Sequence, residues 1–387
     1  MTVRTPVYLD HHATTPVDPA VIEVMDRALT DHFGNPHSAH AFGWAAAALV
    51  DRAREQVAAL LGCSPGEIVF TSGATESNNL ALKGLAALHD HPGRLVTSNL
   101  EHESVARPVA ELAARGWEIV TVDCRPDGRM SSEDVADAVK PGTALVSVVA
   151  AQNELGTLQP WAEIGAMCRE RGVIFHTDAA QAVGKVPLDV VRDDIGMLSL
   201  SGHKFYGPKG VGALYLRARG PCVRVRAVST GGGQERDIRS GTLNVPGIAG
   251  LGEACRLARE RREDDAARLR GMGQALFAAI TDAVPDVRLN GAAAGRLPGS
   301  LNLTFPGVAA VRLLRELPGL ALSTGSACSS ADGKPSRVLA AIGLDADDRA
   351  SSLRICLGRN NTAAEVAYAA DRIIAAVGKV REEGGAL

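Results

Sequence analysis

The sequence predicts an α/β fold with a mainly parallel sheet, divided into a large domain and a smaller C-terminal α/β domain. Short apolar runs alternate with longer helical patterns over most of the chain, as they do in βαβ units. Polar residues cluster just after the apolar runs, where an open α/β sheet places its ligand at the carboxyl ends of the strands. At 387 residues the chain exceeds the size at which one hydrophobic core stops growing, so a second unit is expected.

Taken in order, "EIVFTSGATESNNLALKGLAAL" reads as a strand, a glycine-containing turn and a helix, and "GRLVTSNLEHESV" as a strand followed by a loop. "TALVSVVAAQNELGT" and "GVIFHTDAAQAVGKV" are further strands ending in polar residues, and "DIGMLSLSGHKFYGPKGVGALYLR" reads as two strands around a charged turn. "PGIAGLGEACRLARERREDDAARLRGMGQALFAAITDAV" has helical periodicity with charges on one side, the pattern of a long helix leaving the large domain. "VRLNG", "GSLNLTFPG" and "LALSTGSAC" are strand-like, and "AAEVAYAADRIIAAVGKVREE" is a terminal amphipathic helix. A boundary near residue 255 gives a large domain over 15–255, with 1–14 returning to join 256–387 in the small one.

With 46% hydrophobic and 22% charged residues, the composition is that of a globular protein with a substantial core. A formal net charge of -3, from 41 basic and 44 acidic residues, gives no global attraction to nucleic acid or to an anionic membrane. The 7 cysteines are scattered, with no C-x-x-C pair and no cluster at zinc spacing, which argues for a reduced compartment and against a disulfide framework. "MTVRTPVYLD" has no apolar leader pattern, and the expected location is the cytoplasm. Cys63, Cys168, Cys255 and Cys356 lie in apolar periodic patterns and are expected in the core.

Four elements carry chemistry. In "SGHKFYGPKG", Lys204 follows Ser201 and His203 between a strand and a glycine-rich turn; a lysine held there suits Schiff-base chemistry, although an exposed turn lysine fits the same pattern. In "FHTDAAQAVGK", Asp178 ends a strand and Gln181 follows. A carboxylate there can keep the ring nitrogen of pyridoxal 5′-phosphate (PLP) protonated, and an aspartate capping a helix is the alternative. "FTSGATES" opens a helix through Gly73, Ala74 and Thr75, either an anion site for a cofactor phosphate or a plain capping turn. His102 in "TSNLEHESV" can stack on a flat ring and relay protons, or serve structure alone. Each falls after a strand and each supplies a different part of one PLP site.

The stretch "STGSACSSADGKPS" places Cys328 among serine, glycine and alanine, without the apolar neighbours of a packed thiol. Such a segment suits a reachable, reactive cysteine.

"YLDHHATTP", "FGNPHS", "FTSGATESNNLALKG", "EHESV", "NELGT", "HTDAAQAVGK", "SGHKFYGPKGVGALY", "GGGQERDIRSGT" and "STGSACSS" occur in the order and spacing of the cysteine desulfurases, PLP enzymes of the class V aminotransferase group, which the chain resembles from about Tyr8 to Arg359. The resemblance implies a fold type I PLP-dependent transferase acting as a homodimer. It implies that Lys204 carries the cofactor, Asp178 faces the pyridine nitrogen, His102 stacks on the ring and Gln181 meets the phenolic oxygen. Ala74, Thr75, Ser201 and His203 match phosphate-binding positions, with Thr242 reaching the phosphate from the neighbouring subunit. Asn35, Asn153 and Arg354 fall where the family recognises substrate, and a guanidinium fork suits a carboxylate.

Cys328 falls at the nucleophile that takes sulfur from L-cysteine, leaving L-alanine and a persulfide to be handed to a sulfur-accepting protein; it is also a candidate transient ligand of an iron–sulfur cluster. "CSSADGKP" resembles the longer-loop branch of iron–sulfur assembly and nitrogenase maturation, which delivers sulfur directly to proteins. The C-terminus at "VREEGGAL" lacks the extended tail of the housekeeping members, which leaves specialised thiolation of tRNA or DNA open. An aminotransferase, a selenocysteine lyase and a non-catalytic sulfur carrier on the same fold are the competing expectations, and the first two would not need the cysteine in "GSACSS".

Overall fold

The computed structural model describes residues 3–325 and 336–384. Strand β1 (Val7–Tyr8) leads to helices α1 (Pro19–Thr30) and α2 (Ala41–Leu61). Strands and helices then alternate: β2 (Ile68–Thr71), α3 (Ala74–Ala86), β3 (Arg94–Ser98), α4 (Glu103–Ala114), β4 (Glu118–Val122), α5 (Ser132–Ala138), β5 (Thr143–Ser147), α6 (Trp161–Glu170), β6 (Ile174–Asp178), β7 (Met197–Ser201) and β8 (Gly212–Leu216). The long helix α7 (Val245–Ala283) precedes β9 (Arg288–Leu289), β10 (Ser300–Thr304), α8 (Ala310–Arg315), β11 (Leu320–Ala321), α9 (Arg337–Ala341), α10 (Ala346–Ala350), β12 (Ser352–Cys356) and α11 (Ala363–Glu382).

The expected mainly parallel sheet is present, with seven strands in the order β2-β8-β7-β6-β5-β3-β4. Only β8 runs against its neighbours, because "SGHKFYGPKG" turns the chain straight back after β7. β3, β5, β6 and β7 run the same way, so their carboxyl ends share one edge of the sheet and the polar residues after them are brought together. β6 and β7 are almost wholly buried, and their polar side chains are satisfied across the sheet: His176 bonds Ser147 Oγ at 2.8 Å and Ser199 Oγ at 3.1 Å.

One apolar cluster joins α1, α2 and the first half of α7 to one face of this sheet, and another joins α3 and α4 to the other face through residues such as Leu80, Leu82, Val105 and Leu112. A third cluster gathers Val7, Leu9, Leu276, Ile280, Leu303, Phe305, Ile355 and Ile373, drawing in β1, the end of α7 and the elements after it. Within that region β10 pairs antiparallel with β9 and β12, and β1 pairs parallel with β11. Helix α7, 39 residues long and therefore about 60 Å, spans the first and third clusters.

Cys168, Cys255 and Cys356 are buried as expected, whereas Cys63 is only half-buried: it follows the C-terminus of α2 and is covered on one side. Burial still pushes its thiol up to about 12, as an inert cysteine requires.

Candidate active site

The edge formed by the strand ends encloses a cavity of about 450 Å³. Ala74, Thr75, His102, Asn153, Asp178, Gln181, Ser201, His203, Lys204 and Arg354 all line it. Two other expected residues do not line it: Asn35 is exposed, its Oδ1 accepting from His37 N at 3.0 Å within its own turn, and Thr242 is exposed on the segment before α7. Cys328 lies outside the described residues.

Asp178 closes β6 and is 5% exposed. Its Oδ2 accepts from Asn78 Nδ2 at 2.7 Å and its Oδ1 from Ala180 N at 3.0 Å. Asn78 sits in the first turns of α3, fully buried, and also donates to Ser104 Oγ at 2.8 Å. Ser104 in turn meets His102 twice, through Oγ at 2.8 Å and through its backbone N–H, which donates to Nδ1 at 3.1 Å. An N–H can only donate, so Nδ1 is an acceptor and the neutral imidazole of His102 carries its proton on Nε2. A continuous side-chain network thus runs from Asp178 through Asn78 and Ser104 to His102.

Lys204 lies in a single helical turn, Gly202–Lys204, immediately after β7. Its Nζ donates to the backbone carbonyls of His12 at 2.8 Å and Ala13 at 3.0 Å. The segment after β1 is held against this turn by Thr15, whose Oγ1 donates to the His203 carbonyl at 3.0 Å and accepts from Tyr206 N at 2.7 Å. Sequence reading allowed that His11 and His12 face the site but gave neither a role; His12 lines the cavity, and its contribution to Lys204 comes from a backbone carbonyl. Its imidazole is turned to the Asn153 carbonyl at 3.0 Å.

One end of the cavity is built on α3. Gly73 caps this helix at φ 147°, a conformation that favours glycine, and provides no side-chain cap, so the first backbone N–H groups of α3 remain for a ligand. Glu76 also lines the cavity; burial would raise its carboxyl, but hydrogen bonds from Arg239 and Ser72 outweigh this and hold it below the usual range, paired to Arg239 at 2.8 Å. Burial, reinforced by Lys204, Lys209 and Lys185, pushes His203 down to about 4 and keeps it neutral at pH 7. Its Nδ1 lies 3.0 Å from Thr14 Oγ1.

At the opposite end Arg354, 1% exposed, projects from β12. Its Nη2 donates to Asp10 Oδ1 at 2.6 Å and its Nη1 to the Asn153 carbonyl at 3.3 Å, while Nε has no hydrogen-bond partner among the described residues. The sequence reading anticipated the guanidinium but not Asp10, which steers it. Among the charged groups that line the cavity, three are cations, Lys204, Lys209 and Arg354, and two are carboxylates, Glu76 and Asp178, so the cavity favours anionic ligands.

A helix N-terminus with free N–H groups, a carboxylate at a strand end and a lysine on the next strand's turn share this cavity, and residues 7–368 match the family described as aminotransferase class-V. A cysteine desulfurase of Mus musculus is 48% identical over 382 residues, which cover 98% of this chain and 83% of the relative. A solved structure described as a NifS-like protein superposes with a TM-score of 0.90 at 34% identity, covering 96% of this chain and 99% of that one. Another, described as SspA in complex with cysteine, gives a TM-score of 0.79 at 38% identity over 90% of this chain and 98% of that one. The chain belongs to the cysteine desulfurases of the class V aminotransferase family.

Among the described residues no group of His, Cys, Asp and Glu is arranged to hold a metal ion, and no helix is long and apolar enough to cross a membrane.

Proposed function

We propose that this protein is a PLP-dependent cysteine desulfurase that removes sulfur from L-cysteine, releases L-alanine and passes the sulfur from Cys328 to an acceptor protein in the cytoplasm. The observation that carries the reading is the placement of Asp178 and Lys204 on one cavity, the first held by Asn78 and the second on backbone carbonyls.

The donor set fits the cofactor. The free N-terminus of α3 with Thr75, together with Ser201 and a neutral His203, suits a phosphate, and Ala74 gives it an unobstructed backbone. Asp178 offers a carboxylate for a protonated ring nitrogen, His102 a ring for stacking, and Gln181 an amide for the phenolic oxygen. When bound, PLP supplies an electron sink for the pair left at the α-carbon of an amino acid that loses a proton.

The chain's own groups do the rest. Lys204 would anchor the cofactor, and its Nζ would move the α-proton of the substrate. Arg354 meets the substrate carboxylate with the N–H groups not spent on Asp10 and Asn153, and Asn153 assists from the same side. The Cys328 thiolate forms an S–S bond to the substrate sulfur as that sulfur leaves its carbon, so that L-cysteine and an enzyme thiol become L-alanine and an enzyme persulfide. With Nδ1 occupied by Ser104, His102 presents an N–H and acts as a donor; to accept the Cys328 proton it must first release Ser104.

Asn35 and Thr242 act in this reading from across a homodimer. Thr242 stands exposed outside its own cavity, and Phe33, Phe42 and Trp44 are more than half exposed close to Asn35, at 67%, 54% and 65%, an apolar surface that a second copy would cover. Under a division into a 15–255 unit and a unit of 1–14 with 256–387, Arg354 belongs to the smaller unit and Asp178 and Lys204 to the larger.

Borohydride reduction of the PLP-loaded protein, followed by peptide mass mapping, tests the cofactor assignment. A pyridoxyl group on Lys204 is expected; a label on another lysine or none at all would overturn it.

A further inference from the structure

Behind Gln181 lies a second lysine that nothing above employs. Gln181 and Lys185 are four residues apart in the turn that follows β6, and Lys185 Nζ donates to Gln181 Oε1 at 2.7 Å. Gln181 Nε2 donates to the His12 carbonyl at 2.9 Å, the same carbonyl that receives Lys204. Gly184, at φ 76°, makes this turn possible: a Cβ there would sit 3.1 Å from the Phe205 side chain. The amide therefore has its oxygen fixed on a cationic donor and one N–H fixed on a carbonyl, which leaves its second N–H as its remaining polar group.

We propose that Lys185 is a positioning residue: it clamps the Gln181 amide so that an N–H, and never the carbonyl oxygen, is presented to the phenolic oxygen of PLP. The inference rests on the cofactor reading above. An N–H donated to that oxygen draws electron density from it and disfavours protonation of the lysine-bound cofactor, so the clamp keeps the pH midpoint of that protonation low. Lys185 is well placed for such a role, with a void of about 40 Å³ on one side lined by His11, His12, Tyr206, Arg262, Asp265 and Arg359. Burial first, then the charge of Lys204, brings its ammonium down to about 7, with Arg354 lowering it further and Cys356 raising it. It lowers His11, His12 and His203 in return.

The test is a pH titration of the visible absorbance of the PLP-loaded protein. Lys185→Met and Gln181→Leu are each expected to raise the midpoint by about one unit. The double variant is expected to shift no further than either single, because one residue acts through the other. Lys185→Arg, which keeps donor and charge, is expected to return towards the wild-type midpoint. An unchanged midpoint in cofactor-loaded Lys185→Met, or full additivity in the double variant, would overturn the proposal. Should Lys185→Met fail to fold, Lys185→Leu is read the same way: a midpoint raised as far as in Gln181→Leu supports the clamp, and an unchanged midpoint overturns it. A wild-type protein that gains no visible absorbance with PLP refutes the cofactor reading itself, a result distinct from all of these.

Discussion

Asn78 Nδ2 donates to Asp178 Oδ2 at 2.7 Å, and both side chains are buried. The bond fixes which carboxylate oxygen is engaged from behind and ties the strand carrying the acid to the helix whose N-terminus opens on the cavity.

Replacing Asn78 by alanine strips partners from Asp178 and Ser104 at once, at a cost of about 1–3 kcal/mol for groups left buried and unpaired. PLP affinity is expected to fall roughly tenfold or more on the same arithmetic. Equilibrium titration of apoprotein with PLP, followed by absorbance, measures it; wild-type affinity would show that the network leaves Asp178 unaffected.

His102 caps α4 as well as facing the cavity. His102→Asn keeps a side-chain oxygen suited to the cap and removes the ring, whereas His102→Ala loses both, including about 1 kcal/mol of capping. Alanine production is expected to drop on the order of 100-fold in both variants. Only the alanine variant should show a lowered thermal midpoint. Equal activity in His102→Asn and wild type would reduce His102 to a structural role.

The legible part of this molecule is the part with side-chain signatures. Lys204, Asp178 and His102 each follow a strand, and parallel pairing of those strands obliges them to meet. Asn78 was hidden because a buried asparagine within a helix reads as any polar residue of α3 until the packing of α3 on the sheet is known. The His12 carbonyl was hidden more deeply, since a backbone acceptor leaves no mark on residue identity. Asn35 and Thr242 are exposed and lie outside the cavity of the single chain, so a reading confined to one chain gives them no part in it.

Burial, first among its causes in each case, holds His11, His176 and His203 down to about 4, against an ordinary value of 6.5. Between those values the unfolded chain binds protons that the fold refuses, so stability falls as the pH drops through the window. Glu101 acts in the opposite sense: burial pushes it up to about 8, so its folded form keeps a proton and its contribution falls as the pH rises. His12 is lowered as well and Glu154 raised, so four histidines stand against two carboxyls and leave a net loss of stability on the acid side between pH 7 and pH 5. Urea denaturation at the two pH values measures it; an equal or higher midpoint at pH 5 would contradict these assignments.

The central claim is that sulfur leaves L-cysteine on Cys328. PLP-loaded protein given L-cysteine without reductant, then analysed by intact and peptide mass spectrometry alongside alanine, tests it most directly. The account predicts one added sulfur atom on the peptide bearing Cys328, alanine in equal amount, and loss of both in Cys328→Ser while the cofactor absorbance persists. Alanine formed at the wild-type rate by Cys328→Ser, or added sulfur on a different cysteine, would contradict it.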